Sequence, residues 1–158
     1  MTLYSVLVAN SSLQTVDYTG IAEITVRELK KIYPITESTT AQSWHLMDDD
    51  ARILHVPDES AFGHLKIFQW NNPPYDLEFY NEKPFVYGIE GDWGPKFLAD
   101  FLIYLKQHIK PEQSAELIRF WAEDYDRKLK SRRITIDEVE LHHLESLKNE
   151  EYIRVVFV

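Results

Sequence analysis

The sequence predicts an α+β fold: a mixed or mostly antiparallel sheet with the terminal strands inside it, packed against about three to four helices. Residues 3–9 (LYSVLVA) and 152–158 (YIRVVFV) are apolar at both odd and even positions, as in strands covered on both faces. Further short strand patterns lie before residue 94, whereas amphipathic helical patterns are concentrated after it. This separation is typical of α+β proteins rather than alternating α/β proteins.

The composition indicates a single domain spanning residues 1–158, since the chain shows no internal repeat and no linker. It contains no cysteine, which excludes a disulfide scaffold and thiolate metal sites. No apolar run approaches the ~20 residues that span a bilayer, and the first residues lack the basic start of a secretory signal. We therefore expect a cytoplasmic protein without membrane contact.

After the first strand, the sequence predicts a helix and then a hairpin. Thr25 and Glu28 form a capping box that opens a short helix, and Pro34 ends this helix. Residues 44–56 predict a β-hairpin, because two segments with strand character flank the acidic turn at 48–50.

Three more strands are predicted before the main helices, at residues 64–70, 79–80 and 85–89. An irregular loop separates the first two of them, because the segment 71–74 is Asn-Asn-Pro-Pro. The segment 91–95 (GDWGP) predicts a turn that is followed by a helix with proline as its first residue.

Three helices are predicted in the second half of the chain. Residues 95–109 and 111–130 each carry an apolar stripe, and the short link between them predicts an antiparallel helix pair. A second capping box at Thr135 and Glu138 opens the third helix, which is predicted to reach about Lys148.

Negative charge and aromatic rings are concentrated in the same part of the chain. The formal net charge is −9, and residues 37–94 contain eleven acidic side chains, three basic ones and ten of the 21 aromatic residues. A surface that combines aromatic rings with carboxylates suits a basic protein partner. The rings can anchor in pockets of the partner, while the carboxylates attract the partner and form ion pairs at the rim of the interface. The alternative is that the rings form the core of a small sheet whose solvated face carries the acids. The first interpretation assigns partner binding to Asp48, Asp49, Asp50, Trp70, Tyr75 and Asp92.

The sequence contains no strong motif for catalysis or metal binding. His45 and His55 lie on the predicted hairpin beside its acidic turn, where an acid–base pair is conceivable. His142 and His143 are adjacent on a predicted helix and do not form the spaced pair that places two ligands on one face. We therefore predict no catalytic residue, no metal ion and no cofactor, and the negative charge argues against a nucleic-acid partner.

A basic run lies at the end of the second predicted helix, where cations complement the helix dipole. It consists of Arg127, Lys128, Lys130, Arg132 and Arg133. The same run could pair with the acidic segment of a second copy, which would give a homodimer that weakens with salt.

The opening LYSVLVANSS, the acidic aromatic stretch 44–93 and the turn GDWGP resemble the immunity proteins of bacterial polymorphic-toxin and contact-dependent systems. The resemblance covers composition and architecture over the whole chain and carries over no functional residue. It implies a small acidic protein that blocks a toxin domain, often a basic nuclease, by occluding its basic active site. The alternative hypothesis is a small enzyme or ligand-binding domain that uses the histidines near the 44–56 hairpin.

Overall fold

The computed structural model describes residues 1–124 and 127–158, which divide into two compact units. The first unit comprises Met1–Thr19 and Phe62–Val158, and the second comprises Gly20–Ala61. Within the described residues the strands are β1 (Leu3–Ala9), β2 (Val16–Asp17), β3 (Ala22–Thr25), β4 (Arg52–His55), β5 (Lys66–Gln69), β6 (Phe85–Glu90), β7 (Glu116–Trp121), β8 (Lys130–Ile134) and β9 (Ile153–Phe157). The helices are α1 (Val26–Ile32), α2 (Pro95–His108) and α3 (Leu141–Leu147).

The first unit contains a seven-stranded sheet with the order β2-β5-β6-β1-β7-β9-β8. Neighbouring strands are antiparallel except β8 and β9, which run parallel. The predicted α+β class and mixed sheet are therefore confirmed. Both terminal strands lie inside the sheet as predicted, since β1 lies between β6 and β7 and β9 lies between β7 and β8.

The two faces of this sheet are covered differently. On one face, Leu7, Leu117 and Val155 form a core with residues of α2 and α3, including Phe101 and Leu144. On the opposite face, residues of β1 and β7 form a smaller cluster with Leu77 of the 3-10 helix Tyr75–Phe79. Its buried members are Val6, Val8, Leu77, Ile118 and Phe120. Because side chains alternate along a strand, β1 and β7 contribute to both clusters.

The second unit combines the β3–β4 ladder with α1, which packs against both strands. The predicted capping box is confirmed. The Thr25 hydroxyl accepts a hydrogen bond from the Glu28 N–H at 3.2 Å, and the Glu28 carboxylate accepts one from the Thr25 N–H at 2.8 Å. These bonds satisfy two of the N–H groups that a helix start leaves open. The helix ends before Pro34, as the sequence predicts.

The predicted hairpin over residues 44–56 is wrong. Its first arm is a 3-10 helix, Ser43–Leu46, and its second arm is β4, which pairs with β3 instead. Side-chain hydrogen bonds explain the difference: the Trp44 indole donates to the Gln42 amide oxygen at 2.7 Å, and the Gln42 N–H donates to His45 Nδ1 at 3.2 Å. Such local bonds close a tight turn in place of a ladder.

The predicted helix over residues 111–130 is also wrong. Among the described residues of this range, only Pro111–Gln113 forms a helical turn, and Ser114 then adopts a left-handed backbone with φ 50°. The following residues form β7 in the middle of the sheet, so the predicted antiparallel helix pair is replaced by packing of α2 against α3. A strand that is buried on both faces shows no alternation, and its apolar run also fits a helical stripe. Tyr125 and Asp126, which the predicted helix included, lie outside the described residues.

Three smaller predictions are corrected as well. Residues 79–80 end a 3-10 helix, Tyr75–Phe79, and form no strand. The third helix does not begin at its predicted capping box, because Ile136–Glu138 forms a separate 3-10 turn and α3 starts at Leu141. The basic run does not end a helix, since its last three cations lie on β8.

Candidate partner-binding surface

Residues 70–83 cover the face of the main sheet that carries the smaller cluster. Two consecutive prolines end regular structure here, and the 3-10 helix Tyr75–Phe79 follows Pro74 directly. Leu77 is only 3% exposed and belongs to the same buried cluster as Phe120, so the segment is anchored to the sheet through its middle residue.

Because Leu77 is buried against the sheet, the side chains two residues before and after it face the solvent. Tyr75 is 68% exposed and Phe79 is 54% exposed. Their ring centroids are 5.9 Å apart and their planes are nearly perpendicular, at 88°. This edge-to-face geometry is a favourable arrangement for an aromatic pair. Two large rings are therefore held together at the surface by a short, anchored segment.

Carboxylates surround these rings. Asp76 accepts a hydrogen bond from the Glu123 N–H at 2.6 Å, which ties the segment to the end of β7. Glu78 and Glu82 are exposed, and within residues 1–124 and 127–158 no cation lies within salt-bridge distance of them. We name this group the acidic aromatic ridge, and it consists of Tyr75, Asp76, Glu78, Phe79 and Glu82.

A polar cleft of about 530 Å³ lies beside the ridge. Its lining residues come from the ridge segment, from β7 and β9 and from the end of β1. They are Asn10, Glu78, Phe79, Tyr80, Asn81, Glu82, Lys83, Glu116 and Arg154. The cleft therefore opens next to the exposed rings, where a partner side chain could enter it.

The cleft contains a charge cluster centred on Glu116, whose side chain is 11% exposed. Arg154 Nη1 lies 2.8 Å from Glu116 Oε2, and Lys83 Nζ lies 3.7 Å from Glu116 Oε1. The two cations also donate to backbone carbonyls, Lys83 to Ser114 at 2.6 Å and Arg154 to Tyr80. These bonds hold the C-terminal end of the ridge segment against the sheet, whereas Glu78 and Glu82 are exposed.

Replacing Glu116 by glutamine will lower the free energy of unfolding by about 2 kcal/mol, because Lys83 and Arg154 then face each other without the carboxylate between them. This is less than the loss expected for a fully buried pair, since the two cations are 20% and 31% exposed. Urea denaturation measures the change. The matched control is Glu82→Gln at the exposed rim, which will change stability by less than about 0.5 kcal/mol. Equal effects of the two substitutions would contradict the stabilising role of Glu116 between Lys83 and Arg154.

Of the predicted binding residues in the first unit, the ridge contains only Tyr75. Trp70 is half-buried, and its ring packs edge-to-face on Tyr4 at 5.6 Å, so it belongs mainly to the covered face. Asp92 is exposed, but its carboxylate accepts a hydrogen bond from the Gly94 N–H at 2.7 Å and shapes the turn before α2. Sequence reasoning missed Phe79 as a surface ring, because it assigned that residue to a strand.

The predicted residues Asp48, Asp49 and Asp50 lie in the second unit. Asp48 accepts a hydrogen bond from the Asp50 N–H at 2.8 Å, which closes the turn before β4. The hydrogen bond and charge of Lys30, 2.7 Å from Asp49, hold the pKa of that carboxyl below its usual value. Asp50 forms an ion pair with Arg27 at 3.2 Å. Their part in partner binding stays a prediction, and two of the three carboxylates already have cationic neighbours on α1.

The described contacts of His45 and His55 do not join them in the acid–base pair of the alternative hypothesis. His45 accepts its hydrogen bond from the backbone within its own 3-10 turn, and His55 lies on β4 with its ring centroid 6.0 Å from that of Tyr33. Among the described residues, no group of three His, Asp or Glu side chains converges to hold a metal ion. The hairpin on which the alternative hypothesis depended is absent.

No protein family matches the chain, and neither a curated protein nor a solved structure shows significant similarity to it. None of the helices within the described ranges combines the length and apolar character needed to cross a bilayer.

Proposed function

We propose that this chain is a protein-binding module of the immunity type, which neutralises a basic partner by covering its active site with the acidic aromatic ridge. The observation that carries the proposal is the exposed pair Tyr75 and Phe79 beside the unpaired carboxylates Glu78 and Glu82. Aromatic side chains are enriched among the residues that dominate binding energy. Acidic neighbours favour a partner surface rich in lysine and arginine.

The anchoring of the ridge supports this proposal. Leu77, Tyr80 and the cluster around Glu116 fix the segment before any partner arrives. A surface that is already ordered loses little conformational entropy on binding, so more of the interaction energy appears as affinity. The net charge of −9 adds long-range attraction for a basic partner and accelerates the encounter.

The mechanism requires no chemistry from this chain. A basic nuclease-type site must bind an anionic substrate through its own cations, and a carboxylate-rich ridge competes for the same cations. Inhibition then follows from occupancy, with the rings of Tyr75 and Phe79 excluding water around the charge pairs. Glu78 and Glu82 line the cleft beside the ridge, which offers space for one long basic side chain.

The double variant Tyr75→Ser/Phe79→Ser will bind its partner about 100-fold more weakly than the wild-type chain, because two anchors are lost together. The partner to be tested is a basic toxin-like domain sought among the products of neighbouring genes, and isothermal titration calorimetry measures the affinity. Both side chains are mostly exposed and the variant loses one edge-to-face contact, so the free energy of unfolding will fall by about 1 kcal/mol.

The matched control is Tyr18→Ser, which removes another partly exposed ring (41% exposed) away from the ridge and will leave affinity unchanged. Failure of the wild-type chain to bind such a domain would overturn the proposal. Binding by the double variant with wild-type affinity would overturn the assignment of the ridge.

A further inference from the structure

The outer edge of the main sheet at β8 is open. Among residues 1–124 and 127–158, β8 pairs with β9 alone, and the register of this parallel ladder determines which N–H and C=O groups of β8 bond to β9. The Lys130 N–H donates to the Tyr152 carbonyl at 3.0 Å, and the Ile134 carbonyl accepts from the Val158 N–H at 3.0 Å. Backbone groups point to alternate sides along a strand. The N–H and C=O groups of Ser131 and Arg133 therefore point away from β9.

These outward groups have no backbone partner within the part of the chain that the structure describes. Ser131 and Arg133 are both exposed, and the strand between Lys130 and Ile134 contains no proline. An edge of this kind can accept another extended segment through main-chain hydrogen bonds.

The side chains of this edge are strongly basic, in contrast to the chain as a whole. Lys130 Nζ and Arg132 Nη2 share one carboxylate, Glu150, at 3.3 Å and 3.5 Å. Lys128 and Arg133 are exposed, and within the described ranges neither has an ion pair. The local charge around β8 is therefore positive.

We propose that β8 binds an extended acidic segment of a partner protein, which adds to the sheet as an eighth strand. Like charges directly opposite each other destabilise a strand pair, so the cations of β8 oppose pairing with the β8 edge of a second copy. The same cations attract carboxylates, which makes the edge selective for an acidic strand. This site is separate from the acidic aromatic ridge and has the opposite charge. The alternative is that the cations of β8 only prevent aggregation, in which case the outward N–H and C=O groups of Ser131 and Arg133 would bind no partner strand.

The test uses a fluorescein-labelled peptide of alternating valine and glutamate, with binding measured by fluorescence anisotropy. The variant Ser131→Pro removes an N–H that faces away from β9, so the ladder to β9 keeps its bonds while the added strand loses one and meets the proline ring. We expect this variant to bind the peptide at least about tenfold more weakly than the wild-type chain. The control Ser131→Thr keeps the N–H and will bind with wild-type affinity.

A second measurement covers the case in which Ser131→Pro does not fold. The same peptide, N-methylated at alternate residues, keeps its charge but cannot complete the ladder, and it will not bind the wild-type chain. Equal binding of the two peptides, or no binding of the unmodified peptide, would overturn the proposal. The ridge variant Tyr75→Ser/Phe79→Ser will bind the peptide normally, so failure at the ridge and failure at this edge can be distinguished.

Discussion

Replacing Gly91 by alanine will lower the free energy of unfolding by about 4 kcal/mol. Gly91 has φ 142°, a backbone conformation that residues with a side chain rarely adopt. A Cβ atom at this position would lie 2.2 Å from the nearest ring carbon of Phe97 and 3.1 Å from the Gly63 carbonyl oxygen. Backbone strain and overpacking each cost about 1–3 kcal/mol, and both apply here.

Phe97 cannot move aside to make room. Its side chain is fully buried, and its ring contacts those of Trp93 at 4.9 Å and Phe101 at 5.9 Å. Urea denaturation followed by circular dichroism measures the loss. The control is Gly94→Ala, where the closest atoms belong to the Asp92 carboxylate, which can rotate into solvent, so we expect a loss of about 1 kcal/mol. If Gly91→Ala cost no more than this control, the ring packing around Phe97 would have to be far looser than described.

Replacing Arg119 by alanine will lower the free energy of unfolding by about 3 kcal/mol. Arg119 lies on β7 and is 4% exposed. Its guanidinium donates to the Ser5 hydroxyl at 3.1 Å and to the carbonyls of Leu147 and Lys148 at the end of α3. The guanidinium also lies 4.2 Å from the centroid of the Trp93 ring. One side chain therefore links two strands, a helix terminus and the turn before α2, and hydrogen bonds from a charged donor are worth more than neutral ones.

The comparison with Arg119→Met separates packing from hydrogen bonding. Burial lowers the pKa of Arg119, because desolvation disfavours the charged guanidinium, although Glu151 opposes this shift. Methionine removes that cost and still covers Trp93, so we expect a loss of only about 1 kcal/mol for this variant. Thermal denaturation of both variants measures the difference. Equal losses would mean that the hydrogen bonds, and not the packing over Trp93, account for the stabilisation.

The sequence predicted those elements whose signals are local. β1 and β9 were predicted because their short runs are apolar at both odd and even positions, and α1 was predicted by its capping box. α2 followed from its proline start and its apolar stripe. In each case the pattern that defines the element is contained in the element itself.

Elements that depend on distant partners were not predicted. β7 is a strand because β1 and β9 flank it on both sides, and nothing within its apolar run excludes a helix. β4 pairs with β3, which precedes α1 in the chain. The turn at Asp48 instead suggested pairing with the segment directly before that turn. The ridge was missed for the same reason. Burial of Leu77 decides that Tyr75 and Phe79 point outward, and that burial depends on strands far away in the chain.

The position of β9 has a consequence for how this protein is synthesised. β9 separates β7 from β8, so the sheet cannot close until Ile153–Phe157 has left the ribosome. Until then the nascent chain exposes the apolar edge of β7, including Leu117 and Ile118, to solvent and to other unfinished chains. Such open edges promote aggregation during folding, and we expect the growing polypeptide to need chaperone protection until β9 emerges.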